Sequence, residues 1–129
     1  MGFTPESQAI FLIKNLGPLL KNEGYPHIKI MILDDQRLFL PAWPKSVLNY
    51  SPEATKYFDG IGVHWYLDFV TNPKVLDLTH ELMPDKWIFG TEACAGSGPL
   101  NKHVIIGDFT RAENYAKYII QDLNHWVFN

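Results

Sequence analysis

The sequence predicts an α/β fold in which parallel strands alternate with helices, and three observations carry that expectation. Three short β-rich runs, residues 28–36, 60–68 and 87–92, are nearly continuous in apolar side chains, as suits strands buried on both faces. Helix-start signals and apolar residues at three- and four-residue steps fall between them. Each run also turns polar at the same end: Asp34-Asp35-Gln36, His64-Trp65-Tyr66, and Thr91-Glu92.

Taken in order, Thr4-Pro5-Glu6 reads as an N-cap, a proline at the first helical position and an acid in the first turn. Ile10, Ile13, Leu16 and Leu20 give that helix an apolar face, and Gly17-Pro18 must break or kink it. After the strand at 28–36, Ser51-Pro52-Glu53 starts a second helix over 54–58. After the strand at 60–68, a third covers 73–83, with Val75, Leu78, Leu82 and Met83 on one side. Asp85 and Lys86 open the strand at 87, and Ala95-Gly96-Ser97-Gly98-Pro99 forbids its long continuation. Asp108 is predicted to cap the last helix, where Ala112, Ala116, Ile119 and Leu123 share a face. Trp126-Val127-Phe128 begins a further strand. Such alternation implies right-handed βαβ units in one parallel sheet, without repeats, low-complexity stretches or linkers.

Length sharpens this expectation. The chain has 129 residues, whereas a closed eight-fold α/β barrel typically needs about 250. Three strands and the start of a fourth make about half a barrel, and three strands with bare apolar edges would make poor architecture. The composition is 47% hydrophobic and 14% aromatic, with four Trp, six Tyr and eight Phe, which suits a piece of a larger core. Residues 1–129 are therefore expected to form one unit, a fragment of a catalytic barrel.

Charge narrows the partners. The net charge is −3 with a sequence pI near 5.9, and no Lys or Arg run suggests nucleic-acid binding. No apolar stretch reaches the roughly 20 residues of a membrane span, and Met1-Gly2-Phe3 carries no signal-peptide pattern. A single cysteine, Cys94, excludes an internal disulfide. Asn49-Tyr50-Ser51 is a glycosylation sequon, relevant to a secreted or lysosomal setting.

The chemistry concentrates in Trp87-Ile88-Phe89-Gly90-Thr91-Glu92-Ala93-Cys94. A carboxylate at the C-terminal mouth of a buried strand is where a barrel enzyme places a catalytic group. A lone Glu there could equally just reach solvent, but three strands turning polar together describe a site assembled from strand ends. His64 and Trp65 are neighbours on a strand, so one can line the site while the other packs on a helix. For His64, a packed hydrogen-bonded histidine and a sugar contact both remain open, and Tyr66 could be core or pocket. Cys94 has no evident base or helix N-terminus to activate it and is expected to be a buried thiol. A metal-dependent hydrolase could use Asp35, His64 and Glu92 as ligands, although such sites usually recruit several His. A non-catalytic truncated fragment is the other alternative.

Leu33-Asp34-Asp35-Gln36-Arg37, Val63-His64-Trp65-Tyr66-Leu67-Asp68-Phe69 and Glu92-Ala93-Cys94, in this order and spacing, resemble the glucocerebrosidases. These are the lysosomal acid β-glucosidases, or glucosylceramidases, of glycoside hydrolase family 30. Gly2-Phe3-Thr4-Pro5-Glu6, Leu16-Gly17-Pro18 and Pro52-Glu53-Ala54 also fit, so the likeness covers essentially the whole chain. It implies strands five to seven of a TIM (β/α)8 barrel and the start of strand eight. By this resemblance Glu92 is the nucleophile of a retaining β-glucosidase acting on glucosylceramide or a related β-glucoside. Asp35, Gln36, His64, Trp65 and Tyr66 would contact substrate, and Asp34 would line or support the pocket. No metal or cofactor is implied. A small helical saposin-type activator and an anionic lipid surface are the implied partners, and the lysosome or secretion the implied setting. The family's acid/base lies in an Asn-Glu-Pro motif that this sequence lacks, so the isolated chain is expected to be inactive. Gly98-Pro99-Leu100-Asn101-Lys102 departs from the animal lysosomal pattern, which leaves the aglycone preference open.

Overall fold

A computed structural model describes residues 2–96 and 105–128. The stretch Gly98-Pro99-Leu100-Asn101-Lys102 lies outside the described residues. Strands β1 (Met31–Gln36), β2 (Gly60–His64), β3 (Trp87–Glu92) and β4 (Val127–Phe128) form one sheet in the order β1-β2-β3-β4. Every neighbouring pair is parallel. Helices fill the connections, α3 (Ala42–Tyr50) after β1, α4 (Lys74–Leu82) after β2 and α5 (Thr110–Leu123) after β3, and α1 (Pro5–Phe11) and α2 (Gly17–Asn22) precede β1.

The first helix starts as its cap residues require. Thr4 Oγ1 accepts the Ser7 N–H at 3.2 Å, and Ser7 Oγ accepts the Thr4 N–H at 2.8 Å. Gly17-Pro18 neither breaks nor sharply ends the helix; a π-helical turn, Leu12–Leu16, carries α1 into α2. Pro18 has no N–H to continue the α-helical ladder, and the wider turn lets the Gly17 N–H reach the Leu12 carbonyl instead. Gly17 is also required by packing, because a Cβ there would overlap the Tyr57 ring.

Between β1 and β2 the structure corrects the sequence reading. The α-helix is α3, Ala42–Tyr50, whereas Ser51-Pro52-Glu53 opens only a 3-10 turn, Pro52–Lys56. Pro41 and Pro44 look like breakers, yet Pro44 lies in the first turn, where a missing N–H costs nothing. Trp43 and Val47, four apart, then bury one face.

One row of side chains crosses all four strands in register: Ile32, Ile61, Ile88 and Val127. Each is at most 2% exposed. Behind this row sit Ala9, Leu12, Trp43, Val47, Phe58, Leu76 and Met83, which together make the core. Gly60 lies under the Trp87 ring, and a Cβ there would collide with it, so the close strand–strand approach needs glycine. On the alternate positions Met31, Phe89 and Phe128 are exposed, leaving a second apolar sheet face. A sheet with parallel strands, one helix-covered face and a second apolar face is an arc of an α/β barrel.

Candidate functional site

Glu92 and His64 end adjacent strands and are register partners. Two irregularities sit at this edge. The register slips between Val63 and His64, and β1 carries a bulge between Leu33 and Asp35. At the second, Leu33 and Asp34 adopt φ values of 70° and 56°, a left-handed conformation that costs about 1–3 kcal/mol per non-glycine residue. Bulges re-aim side chains near functional sites. Here the bulge swings Asp34 towards β2 and β3, where its Oδ1 accepts the Thr91 hydroxyl at 2.7 Å and lies 3.1 Å from His64 Nε2.

Glu92 is held from two sides. Tyr66 donates its hydroxyl to Glu92 Oε1 at 2.7 Å, and His64 Nε2 lies 3.6 Å from Oε2. The Tyr66 oxygen in turn accepts the Cys94 N–H at 3.2 Å, which fixes the phenol. Burial, followed by the bond to Glu92, pushes the Tyr66 phenol well above its ordinary value, so it stays a proton donor. The Glu92 side chain itself is 51% exposed and open to a ligand. Because Asp34 engages His64, Oε2 remains the freer carboxylate oxygen.

Trp65, the first residue past the end of β2, turns towards α5. It stacks on Tyr115 of α5 with ring centroids 4.5 Å apart and meets Tyr118 edge-on at 5.5 Å. Tyr115 donates to the Ala93 carbonyl at 3.0 Å and accepts the Ala95 N–H at 2.9 Å, fixing the chain just past Glu92. A concavity of about 280 Å³ passes Trp65, Tyr66 and Cys94 and reaches Arg111 and Asn114.

The structure brings Tyr66, His64 and Glu92 together but does not join Asp35 to them. The Asp35 carboxylate accepts the Gln36 N–H at 2.7 Å and lines a concavity that it shares with Asp34, Gln8 and Trp43. Asp34, expected to line or support the pocket, is the acid that meets His64 and Thr91. Gln36 uses its Oε1 to accept the Leu67 N–H at 3.1 Å, so it braces the turn that carries Tyr66. Cys94, expected to be buried, is exposed because β3 ends at Glu92 and the chain turns towards the surface. Among the described residues no group of three or more His, Cys, Asp or Glu is placed to hold a metal ion.

Sequence reading missed a buried charge cluster beneath the site. Arg37 is 1% exposed and sits between Asp68 and Asp122. Burial outweighs the guanidinium's pull and raises the Asp68 carboxyl to about 7, with Asp122 adding repulsion. Burial likewise raises Asp122. An arginine directly after a strand's polar end was the available signal, but its partners lie 31 and 85 residues away.

The Glycosyl hydrolase family 30 TIM-barrel domain matches residues 1–129. The chain belongs to this family. Putative glucosylceramidase 3 of Caenorhabditis elegans is 49% identical over 132 residues, covering 98% of this chain and 24% of that protein. Lysosomal acid glucosylceramidase of Mus musculus is 44% identical over 128 residues, with the same coverages. The family 30 chain thus spans about a quarter of the length of these relatives. The crystal structure of SrfJ from Salmonella typhimurium superposes with a TM-score of 0.81 at 20% identity, over 97% of this chain and 26% of that one. The endo-β1,6-glucanase BT3312 superposes with a TM-score of 0.64 at 25% identity, over 74% of this chain and 21% of that one. These likenesses support the arc-of-a-barrel architecture.

Proposed function

We propose that this family 30 chain is the nucleophile-bearing arc of a retaining β-glucosidase that hydrolyses glucosylceramide or a related β-glucoside. The observation that carries the reading is Glu92 at the end of β3, half exposed, its Oε1 held by the Tyr66 phenol and its Oε2 3.6 Å from His64 Nε2. Oε2 attacks the anomeric carbon as the bond to the aglycone oxygen breaks, giving a glucosyl-enzyme that water later hydrolyses. The phenol stabilises the ionised carboxylate before attack. A second carboxyl group about 5–5.5 Å away must protonate the aglycone oxygen and then deprotonate the water. No carboxyl group of these residues is assigned that role, which falls to a further strand of the barrel. Asp35, Gln36, His64, Trp65 and Tyr66 are the proposed substrate contacts, Gln36 and Trp65 acting through the walls they brace. The names of the relatives support the glucosylceramide assignment and, for the mouse protein, a lysosomal setting. Secretion is the other proposed setting, and a saposin-type activator on an anionic lipid surface is the proposed partner.

The test is covalent trapping. A full-length family 30 barrel carrying these residues, incubated with a 2-deoxy-2-fluoro glucoside or a cyclitol epoxide, should yield a peptide labelled at Glu92. A label on Asp34, Asp35 or Cys94 instead would overturn the assignment.

A further inference from the structure

Four residues from two separate elements converge on one guanidinium. Arg37 opens the 3-10 turn Arg37–Phe39 directly after β1. Its Nη2 donates to the carbonyls of Asp68 and Thr71 and to Gln121 Oε1, each at 2.9 Å. Its Nη1 donates to Asp122 Oδ1 at 3.1 Å. Its Nε lies 2.8 Å from Asp68 Oδ1, an ion contact too poorly aligned to be a hydrogen bond, so neither Asp68 oxygen receives one among the described residues. One cation between two buried carboxylates is an unfavourable way to gain stability, since packed apolar side chains often serve as well or better. Geometry supplies another reason. The turn after β2 that holds Tyr66 is gripped at its Asp68 and Thr71 carbonyls, while neighbouring Gln36 accepts the Leu67 N–H. The same guanidinium grips α5 through Gln121 and Asp122, and α5 carries Tyr115, which fixes the backbone just past Glu92. One side chain therefore sets the Tyr66 turn and the Glu92 strand end in a common frame.

We propose that Arg37 is a positioning residue that fixes the distance between the Tyr66 hydroxyl and Glu92. The proposal rests on the reading of Glu92 as nucleophile. Lysine keeps the charge but lacks the planar fork that grips several acceptors at once, so Arg37→Lys isolates the geometry. In a full-length family 30 barrel carrying these residues, kcat and KM for an aryl β-glucoside are measured for wild type, R37K, Y66F and R37K/Y66F. Because misplacement of order 1 Å can cost about a hundredfold, R37K should lower kcat by about tenfold or more while KM changes little. In the Y66F background the same substitution should cost less than about twofold, since the contact it positions is already gone. Equal proportional losses in both backgrounds would overturn the positioning role. If R37K does not fold, Gln121→Leu, which removes an acceptor by which the guanidinium holds α5, goes through the same cycle with the same two outcomes. Glu92→Gln is the control: turnover that survives it removes the nucleophile assignment and this proposal with it. Additive losses alongside an inactive E92Q overturn the positioning role alone.

Discussion

Asp34 shows how much can turn on one backbone conformation. Its left-handed φ of 56° breaks strand parity, so the acid that a regular strand would aim elsewhere meets His64 and Thr91. From sequence, Asp34 and Asp35 could not be told apart, because a one-residue change of register exchanges the faces of a strand. Asparagine tolerates the left-handed region nearly as well as aspartate, so Asp34→Asn removes the charge with the backbone kept. His64 Nε2 then loses its ionised acceptor and competes for Glu92 Oε2, the oxygen proposed to attack. In the full-length barrel kcat should fall by about tenfold, equivalent to ~1.4 kcal/mol of barrier. Steady-state kinetics on an aryl β-glucoside checks it, and an unchanged kcat would reduce Asp34 to a backbone feature.

The turn after β2 and helix α5 meet at Arg37, and their union responds to pH. Asp68 has an ordinary carboxyl value of 3.8 and is raised to about 7 in the fold, first by burial, then by Asp122, against the opposing pull of Arg37. The folded state therefore holds a proton that the unfolded chain has released between those values. The contribution of Asp68 is fully present below about pH 4 and is lost as pH rises through about 7. Asp122, raised by burial against the pull of Arg37 and with His125 also favouring its ionised form, acts in the same direction. Thermal unfolding midpoints of the full-length barrel should fall between pH 4 and 7, and Asp68→Asn should flatten that slope. A slope unaffected by D68N would place the pH dependence elsewhere. At this scale too, α3 escaped sequence reading because its prolines mask a helix that tertiary burial of Trp43 and Val47 secures.

The sheet as a whole has one covered and one open apolar face, with Met31, Phe89 and Phe128 exposed. Closing a barrel would cover these residues, and the retaining reaction needs a carboxyl group from beyond the three strand ends described. The 129-residue chain alone, incubated with an aryl β-glucoside, should therefore give no turnover above background. Hydrolysis that disappears with Glu92→Gln would show that an acid within these residues serves as the acid/base, with Asp34 the first to test.

The sequence by itself determined the alternation of strands and helices, the parallel sheet and the edge at which polar residues gather. Those features follow from local apolar patterning and from caps such as Thr4 and Ser7, which act within a few residues. The family resemblance, carried by short motifs at strand ends, reached the family to which the chain belongs. Only the tertiary structure decided that Asp34 and not Asp35 joins His64, that Cys94 is exposed, and that Arg37 is locked between Asp68 and Asp122. Each depends on a strand bulge, a strand end or partners tens of residues away, and such long-range geometry leaves no periodic trace along the chain.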